Sequence, residues 1–171
     1  MRTLYLLRHA KSSWDDAALA DRDRPLAPRG QKAARLLAEH LREGEIAPSL
    51  VLCSSARRTQ ETLEAIEPVL GGAEIEVERD LYGASSGELL ERLHGVPDAV
   101  ESVMLIGHNP SLQTLALNLA GKNLAGSGGD LGLIGLKYPT GALATLTFEG
   151  SWQDLDRDGA ELAAFVRPRD L

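Results

Sequence analysis

The chain has a single cysteine, Cys53, in 171 residues. An internal disulfide is excluded, and a lone thiol fits a reducing compartment rather than a cross-linked secreted scaffold. No apolar run approaches the roughly 20 residues that a membrane-spanning helix needs. The first apolar stretch, 3–7, is too short for a signal peptide and ends in charge rather than in small residues. An excess of positive charge is also missing: 18 Lys and Arg stand against 25 Asp and Glu, a formal net charge of −7. That balance argues against a general nucleic-acid or anionic-membrane surface. Any anion site must therefore be a local cationic pocket in an acidic protein. No internal repeat, low-complexity segment or linker interrupts the sequence. The expectation is one domain spanning 1–171 in the cytoplasm.

What is present is ordinary for a globular chain, 43% hydrophobic and 25% charged, and long enough to bury a sizeable core. Residues 3–7 predict a buried strand. Residues 11–27 are polar and carry Asp15, Asp16, Asp21, Asp23 and Pro25, which predicts a loop. Helical spacing of Ala33, Leu37 and Leu41 predicts a helix over 30–43, closed by Gly44. A short buried strand at 49–53 precedes a helix bearing Leu63, Ile66 and Leu70, which Gly71 and Gly72 stop. The alternation at 74–77 suggests a strand, and Leu89, Leu90 and Leu93 a helix. Another buried strand covers 102–106. Asn109 suits an N-cap and Pro110 the first helical turn of a helix bearing Leu112, Leu115, Ala116 and Leu119. Residues 121–135 read as a Gly-rich loop, 142–148 as a strand, and 160–166 as a last strand, with a short terminal helix as the competing reading. Strands alternating with helices imply an α/β fold, a three-layer α/β/α sandwich around a mostly parallel sheet.

In a parallel sheet the carboxyl ends lie on one edge, where open α/β sheets bind ligands. The first strand delivers Arg8 and His9 to that edge. The strand ending at Cys53 delivers Ser54, Ser55, Arg57 and Arg58 at a helix start. The strand ending at Ile106 delivers Gly107 and His108 before another helix. Helix N-termini favour anions, and arginine grips phosphate through paired N–H groups. The convergence describes a phosphate site that contains imidazole. A metal site is the weaker reading, because the arginines repel a divalent cation and no third ligand has a recognisable spacing. The Gly126–Gly135 run lacks the Gly-Lys-Ser/Thr ending of a P-loop and is expected to be a mobile flap beside the site. His40 and His94 read as structural or solvated. Trp14 is either a rim contact for substrate or partly buried in the core.

Arg8-His9-Ala10, the segment Ser54-Ser55-Ala56-Arg57-Arg58-Thr59-Gln60-Glu61-Thr62, and Gly107-His108-Asn109-Pro110 resemble the histidine phosphatase (phosphoglycerate-mutase-like) superfamily. With Arg24-Pro25-Leu26, Arg29-Gly30 and the short length, the wording is most similar to the SixA-type phosphohistidine phosphatases. The resemblance implies a phosphoglycerate-mutase-like fold and a metal-independent phosphatase with no cofactor. It implies that His9 is the nucleophile, that Arg8 and Arg58 bind the phosphoryl oxygens, and that a protonated His108 hydrogen-bonds them from the other side. Arg58 rather than Arg57 matches, because the family's arginine lies four positions before a threonine, here Thr62. Ser12 falls at a position that can touch phosphate. Three proton-donor candidates stand open: Glu88, Asp15 and Asp21, with Asp16 beside them. Glu88 also reads as the closing residue of a capping box that starts at Ser85. Ala10 replaces a commoner glycine, and Asp15 stands where mutase-like members often carry asparagine, which speaks against a small dianionic ester. The expected substrate is phosphohistidine on a protein. The alternatives are a small phosphoester, such as a sugar or nucleotide phosphate, and a phosphate-binding module without turnover.

Overall fold

A computed structural model describes residues 1–121 and 130–171. Six strands form one sheet: β1 (Arg2–Arg8), β2 (Leu50–Ser54), β3 (Glu74–Glu78), β4 (Ser102–Gly107), β5 (Leu143–Phe148) and β6 (Glu161–Val166). Their order across the sheet is β3-β2-β4-β1-β5-β6. The β3, β2, β4 and β1 ladders are parallel, while β5 runs antiparallel to both β1 and β6. The fold is the expected mixed α/β sandwich with a mostly parallel sheet.

Alternation within the strands explains the two helical layers, because successive side chains leave a strand on opposite faces. Leu4 and Leu6, Leu50 and Leu52, and Val103 and Leu105 point to one face. There they meet α3 (Ser86–His94), α4 (Ser111–Ala120) and α5 (Asp130–Leu136). Leu7, Val51, Cys53, Met104 and Ile106 point to the other face, against α1 (Pro28–Glu43) and α2 (Arg57–Ile66). β2 and β4 are therefore apolar on both sides, as strands buried in a parallel sheet must be. Each fully buried leucine contributes about 2 kcal/mol of transfer free energy.

The last residues of the three central strands come level. Arg8 pairs with Gly107, and Cys53 with Ile106. The start of β5 joins them from the opposite direction: the Gly141 N–H is shared between the Arg8 and His9 carbonyls at 3.1 and 2.9 Å. No helix among the described residues is long and apolar enough to cross a membrane.

Two expectations need correction. The Gly-rich segment is not all loop, since Asp130–Leu136 is helical. Its Ile134 is fully buried, and the Ile134 carbonyl accepts from Gln113 Nε2 at 2.7 Å. Packing thus overrides the poor helix propensity of Gly132 and Gly135. The flap expected over 126–135 otherwise falls on 126–129, outside the described residues. The fourth long helix starts at Ser111, with Pro110 rather than Asn109 in the capping position. Asn109 nonetheless serves that helix end, its Oδ1 accepting from the Gln113 N–H at 3.2 Å. The terminal segment is the expected strand and not the competing helix, followed by a single turn over 168–170.

One glycine locks the loop after β1 in place. A Cβ on Gly30 would stand 2.0 Å from the Lys11 carbonyl oxygen, an oxygen that also accepts from the Ala27 N–H at 2.9 Å. Gly30→Ala should therefore destabilise the protein by about 2 kcal/mol in chemical denaturation, overpacking outweighing the gain in helix propensity. Gly87→Ala, where the nearest atom lies 3.9 Å away, should be neutral or slightly stabilising.

Candidate active site

His9 follows the last residue of β1 and is buried, at 6% exposure. Its backbone N–H donates to the Gly107 carbonyl at 3.1 Å, which ties it to the end of β4. Its ring Nδ1 lies 2.7 Å from the Ala10 carbonyl oxygen. A carbonyl can only accept, so Nδ1 carries the proton and Nε2 keeps its lone pair. Burial, with the nearby His108, Arg58 and Arg8 charges adding to it, pulls the His9 pKa down to about 3. The imidazole is neutral at physiological pH, as a nucleophile must be.

His108 comes from the end of β4. Its ring centroid lies 5.3 Å from that of His9, tilted by 53°. The Tyr82 ring meets its edge at 5.6 Å, and Ser54 Oγ lies 2.7 Å from its Nε2. Burial first, and then the Arg58 charge, bring its pKa down to about 4. With no anion bound, His108 therefore rests neutral. The Asp21 carboxylate pulls the other way, and an arriving anion would add to it, favouring the protonated form.

Arg58 stands in the first turn of α2, and only 7% of it is exposed. Its Nη1 donates to the Asp21 carbonyl at 2.8 Å and its Nη2 to Asp21 Oδ2 at 3.0 Å. The same Nη2 lies 3.5 Å from His108 Nδ1. Arg8 is half-buried and donates through Nη1 to the Tyr138 carbonyl at 2.8 Å. Burial, and then the Arg58 charge, lower its pKa. The two guanidiniums thus reach one place from different elements, each anchored to backbone on one side.

Asp21 organises this cationic pocket. Its carboxylate accepts from the Tyr82 hydroxyl at 2.6 Å, from Arg58, and from Arg24 Nη1 at 2.9 Å. The Tyr82 bond first, followed by those to Arg58 and Arg24, holds its pKa down to about 2. Arg24 is itself buried and donates to Ser12 Oγ and to the Ser13 carbonyl. Ser12 is consequently buried within the loop. Trp14 is 72% exposed, with the Arg24 guanidinium 3.3 Å from its ring centroid. It is not part of the core.

The remaining candidates sit elsewhere. Arg57 is exposed and pairs with Glu61 one helical turn away at 2.9 Å. Glu88 closes the capping box with Ser85 and is fully exposed. Asp15 and Asp16 are exposed on the first loop, where Asp16 Oδ1 accepts from the Ala18 N–H. His94 pairs through Nε2 with the Leu155 carbonyl, and His40 lies half-buried on α1. Among the described residues no group of three or more His, Cys, Asp or Glu side chains could hold a metal ion.

Sequence reasoning missed three contributors. Ser54 holds His108. Tyr82 holds Asp21. Thr62 Oγ1 accepts from the Ala10 N–H at 3.0 Å and donates to the Arg58 carbonyl at 2.7 Å, fastening the end of β1 to the first turn of α2. Ser54 and Thr62 lie within the segment that carries the family resemblance; Thr62 marked Arg58 by its spacing, but nothing local showed that it fastens Ala10, or set Ser54 apart from Ser55. Tyr82 lies in a turn with no local signal.

A family model, the Histidine phosphatase superfamily (branch 1), matches residues 4–123. An uncharacterised protein of Mycobacterium tuberculosis is 39% identical over 168 residues, covering 95% of this chain and all of that one. Two solved structures of proteins assigned as the phosphohistidine phosphatase SixA superpose well. That from Nakamurella multipartitia is 33% identical with a TM-score of 0.85, covering 98% of this chain and 96% of the other. That from Agrobacterium tumefaciens is 29% identical with a TM-score of 0.82, covering 98% of both chains.

The two depressed histidines dictate a pH dependence of stability. Their folded pKa values, about 3 and about 4, lie below the roughly 6.5 of an unfolded histidine. Below that value the unfolded chain takes up protons that the folded chain refuses, so stability falls as pH drops from about 6.5 toward 4. Denaturation of wild type across this range should show that decline, and His108→Asn should show a shallower one. Histidine NMR titration should place the His108 pKa near 4 and move it upward when inorganic phosphate is bound.

Proposed function

Given that the chain belongs to the histidine phosphatase superfamily, and is thus a phosphatase, we propose that it removes phosphate from phosphohistidine on a protein, through a covalent phosphate on His9. The observation that carries this reading is the tautomer of His9: Nδ1–H is held by the Ala10 carbonyl, and Nε2 is left as the nucleophile. The first step is attack of Nε2 on phosphorus as the P–N bond to the substrate imidazole breaks. The departing nitrogen takes its proton from solvent. Water then attacks the phosphorus of phospho-His9, releases phosphate and restores the imidazole. Arg8 and Arg58 stabilise charge on the equatorial oxygens throughout, and His108 donates to them from the opposite side. Positioning and charge stabilisation supply the rate, with no metal or cofactor in either step.

The choice of substrate rests on the carboxyl groups. An alkoxide leaving group needs a poised acid with a pKa near the working pH. Asp21 is held down to about 2 by Tyr82, Arg58 and Arg24, so it acts as an ionised anchor for Arg58 and not as a donor. Glu88 is occupied at its helix start. Asp15 remains as an exposed loop carboxyl. An imidazole leaving group, protonated from solvent, suits such a site better than a sugar or nucleotide alcohol. A phosphate-binding module without turnover would have no use for a neutral His9 with its lone pair free. The lone buried thiol of Cys53 accords with a cytoplasmic setting.

Hydrolysis of a phosphohistidine protein tests the reading directly. His9→Ala should lose activity by more than about a thousandfold and trap no acid-labile phosphoenzyme. Equal turnover by His9→Ala and wild type would refute it. Fast hydrolysis of one phosphoester metabolite with none of phosphohistidine would decide for the small-substrate reading. Arg58→Ala should cost about a hundredfold or more in kcat/KM, since it removes a charge-assisted phosphate contact. Arg57→Ala should stay within about twofold, because an exposed i,i+4 pair contributes little. Asp21→Asn should fall between these, with phosphate affinity reduced in parallel.

A further inference from the structure

A groove of about 390 Å³ lies beside the site, lined by Lys11, Arg29, Lys32 and Arg169 and by no acidic side chain. All four cations are exposed. Its floor is apolar, formed by Ala33, Leu36 and Pro168. In a chain with a formal net charge of −7, four cations around one depression are a local reversal of the protein's field. The carboxylate next along the chain, Asp170, is gripped by both ends of the Arg167 guanidinium.

The groove is joined to the catalytic edge through backbone. Lys11 is two residues beyond His9. Thr140, which also lines the groove, precedes Gly141, whose N–H binds the Arg8 and His9 carbonyls. Pro168 packs so closely on Gly141 that a Cβ there would lie 2.9 Å from the proline ring. A surface resting in this groove therefore borders the mouth in which His9 works.

We propose that this groove docks an acidic surface of the phosphohistidine-bearing protein substrate. The proposal rests on the reading of the site given above. The chemistry of the groove selects this occupant over the alternatives. Exposed cations hold a small anion weakly, because water screens each contact. Several of them arrayed around an apolar floor instead complement an acidic protein face with apolar side chains of its own. A nucleic acid would gain from the same four cations but meet the acidic remainder of the protein.

The test compares two substrates of the full chain. One is free phosphohistidine. The other is a phosphohistidine protein with an acidic surface around its histidine, used as such and with that surface neutralised. The triple variant Arg29→Glu/Lys32→Glu/Arg169→Glu should lose about tenfold or more in kcat/KM on the acidic phosphoprotein, mostly through KM. On free phosphohistidine it should stay within about twofold. The neutral triple variant Arg29→Gln/Lys32→Gln/Arg169→Gln should show a smaller loss of the same pattern, guarding against misfolding of the reversed one. For wild type, added salt should depress turnover of the acidic phosphoprotein more steeply than turnover of free phosphohistidine or of the neutralised protein. Equal losses on both substrates, or none on either, would overturn the docking role while leaving the phosphatase reading intact. Failure of wild type to hydrolyse any phosphohistidine substrate would overturn both.

Discussion

Two guanidiniums and two imidazoles crowd together at the end of an otherwise apolar sheet, and the arrangement depends on one carboxylate. Arg58 and Arg24 are both buried, and Arg58 already lowers the proton affinity of Arg8. Without a counter-charge, such burial costs several kcal/mol per ion. Asp21 supplies that charge through one carboxylate and one backbone carbonyl. It leaves each arginine with N–H groups directed away from itself. Its own place is set by Tyr82 and by the single 3₁₀ turn of 21–23 on which it sits. The polar loop between β1 and α1, with only the small Ala10, Leu26 and Ala34 cluster as its core, is thus held largely by the charges it serves.

The histidines answer the same electrostatics differently. A cationic pocket that must receive an anion cannot also hold imidazolium at rest, so both rings are neutral. For His9 this state is the chemically useful one. For His108 it means that proton affinity changes when phosphate arrives, which couples binding to protonation. The backbone completes the frame: Gly107 and Gly141 each bind a peptide group of Arg8 or His9, so the His9 backbone is fixed at the strand ends while the Ala10 carbonyl orients its ring.

Much of this was legible from residue order. Strands that are apolar on every residue, ending abruptly in Arg8-His9, Ser54 and Gly107-His108, announce a parallel sheet with a polar edge. The capping box at Ser85 and Glu88 could be read from spacing alone, because its partners are three residues apart. The helix at 130–136 could not, because its glycines argue against it locally and it is held by tertiary contacts, the burial of Ile134 and the Gln113 bond to its carbonyl. The resting state of His108 could not be read there either, since a charge depends on what surrounds the ring and not on what neighbours it in sequence.

Local pattern therefore determined the layered α/β architecture and the sheet edge to which Arg8, His9, Arg58 and His108 come, because periodicity and strand ends are properties of short segments; the choice of Arg58 over Arg57 rests on the family resemblance. Tertiary structure alone decided how those residues are supported. Asp21 meets Arg58 across 37 positions, Thr62 meets Ala10 across 52, and Ser54 meets His108 across 54. No local spacing encodes such partners. They become neighbours only when hydrophobic burial brings the strand ends level, and it is that burial, acting on charge, that sets which nitrogen carries a proton.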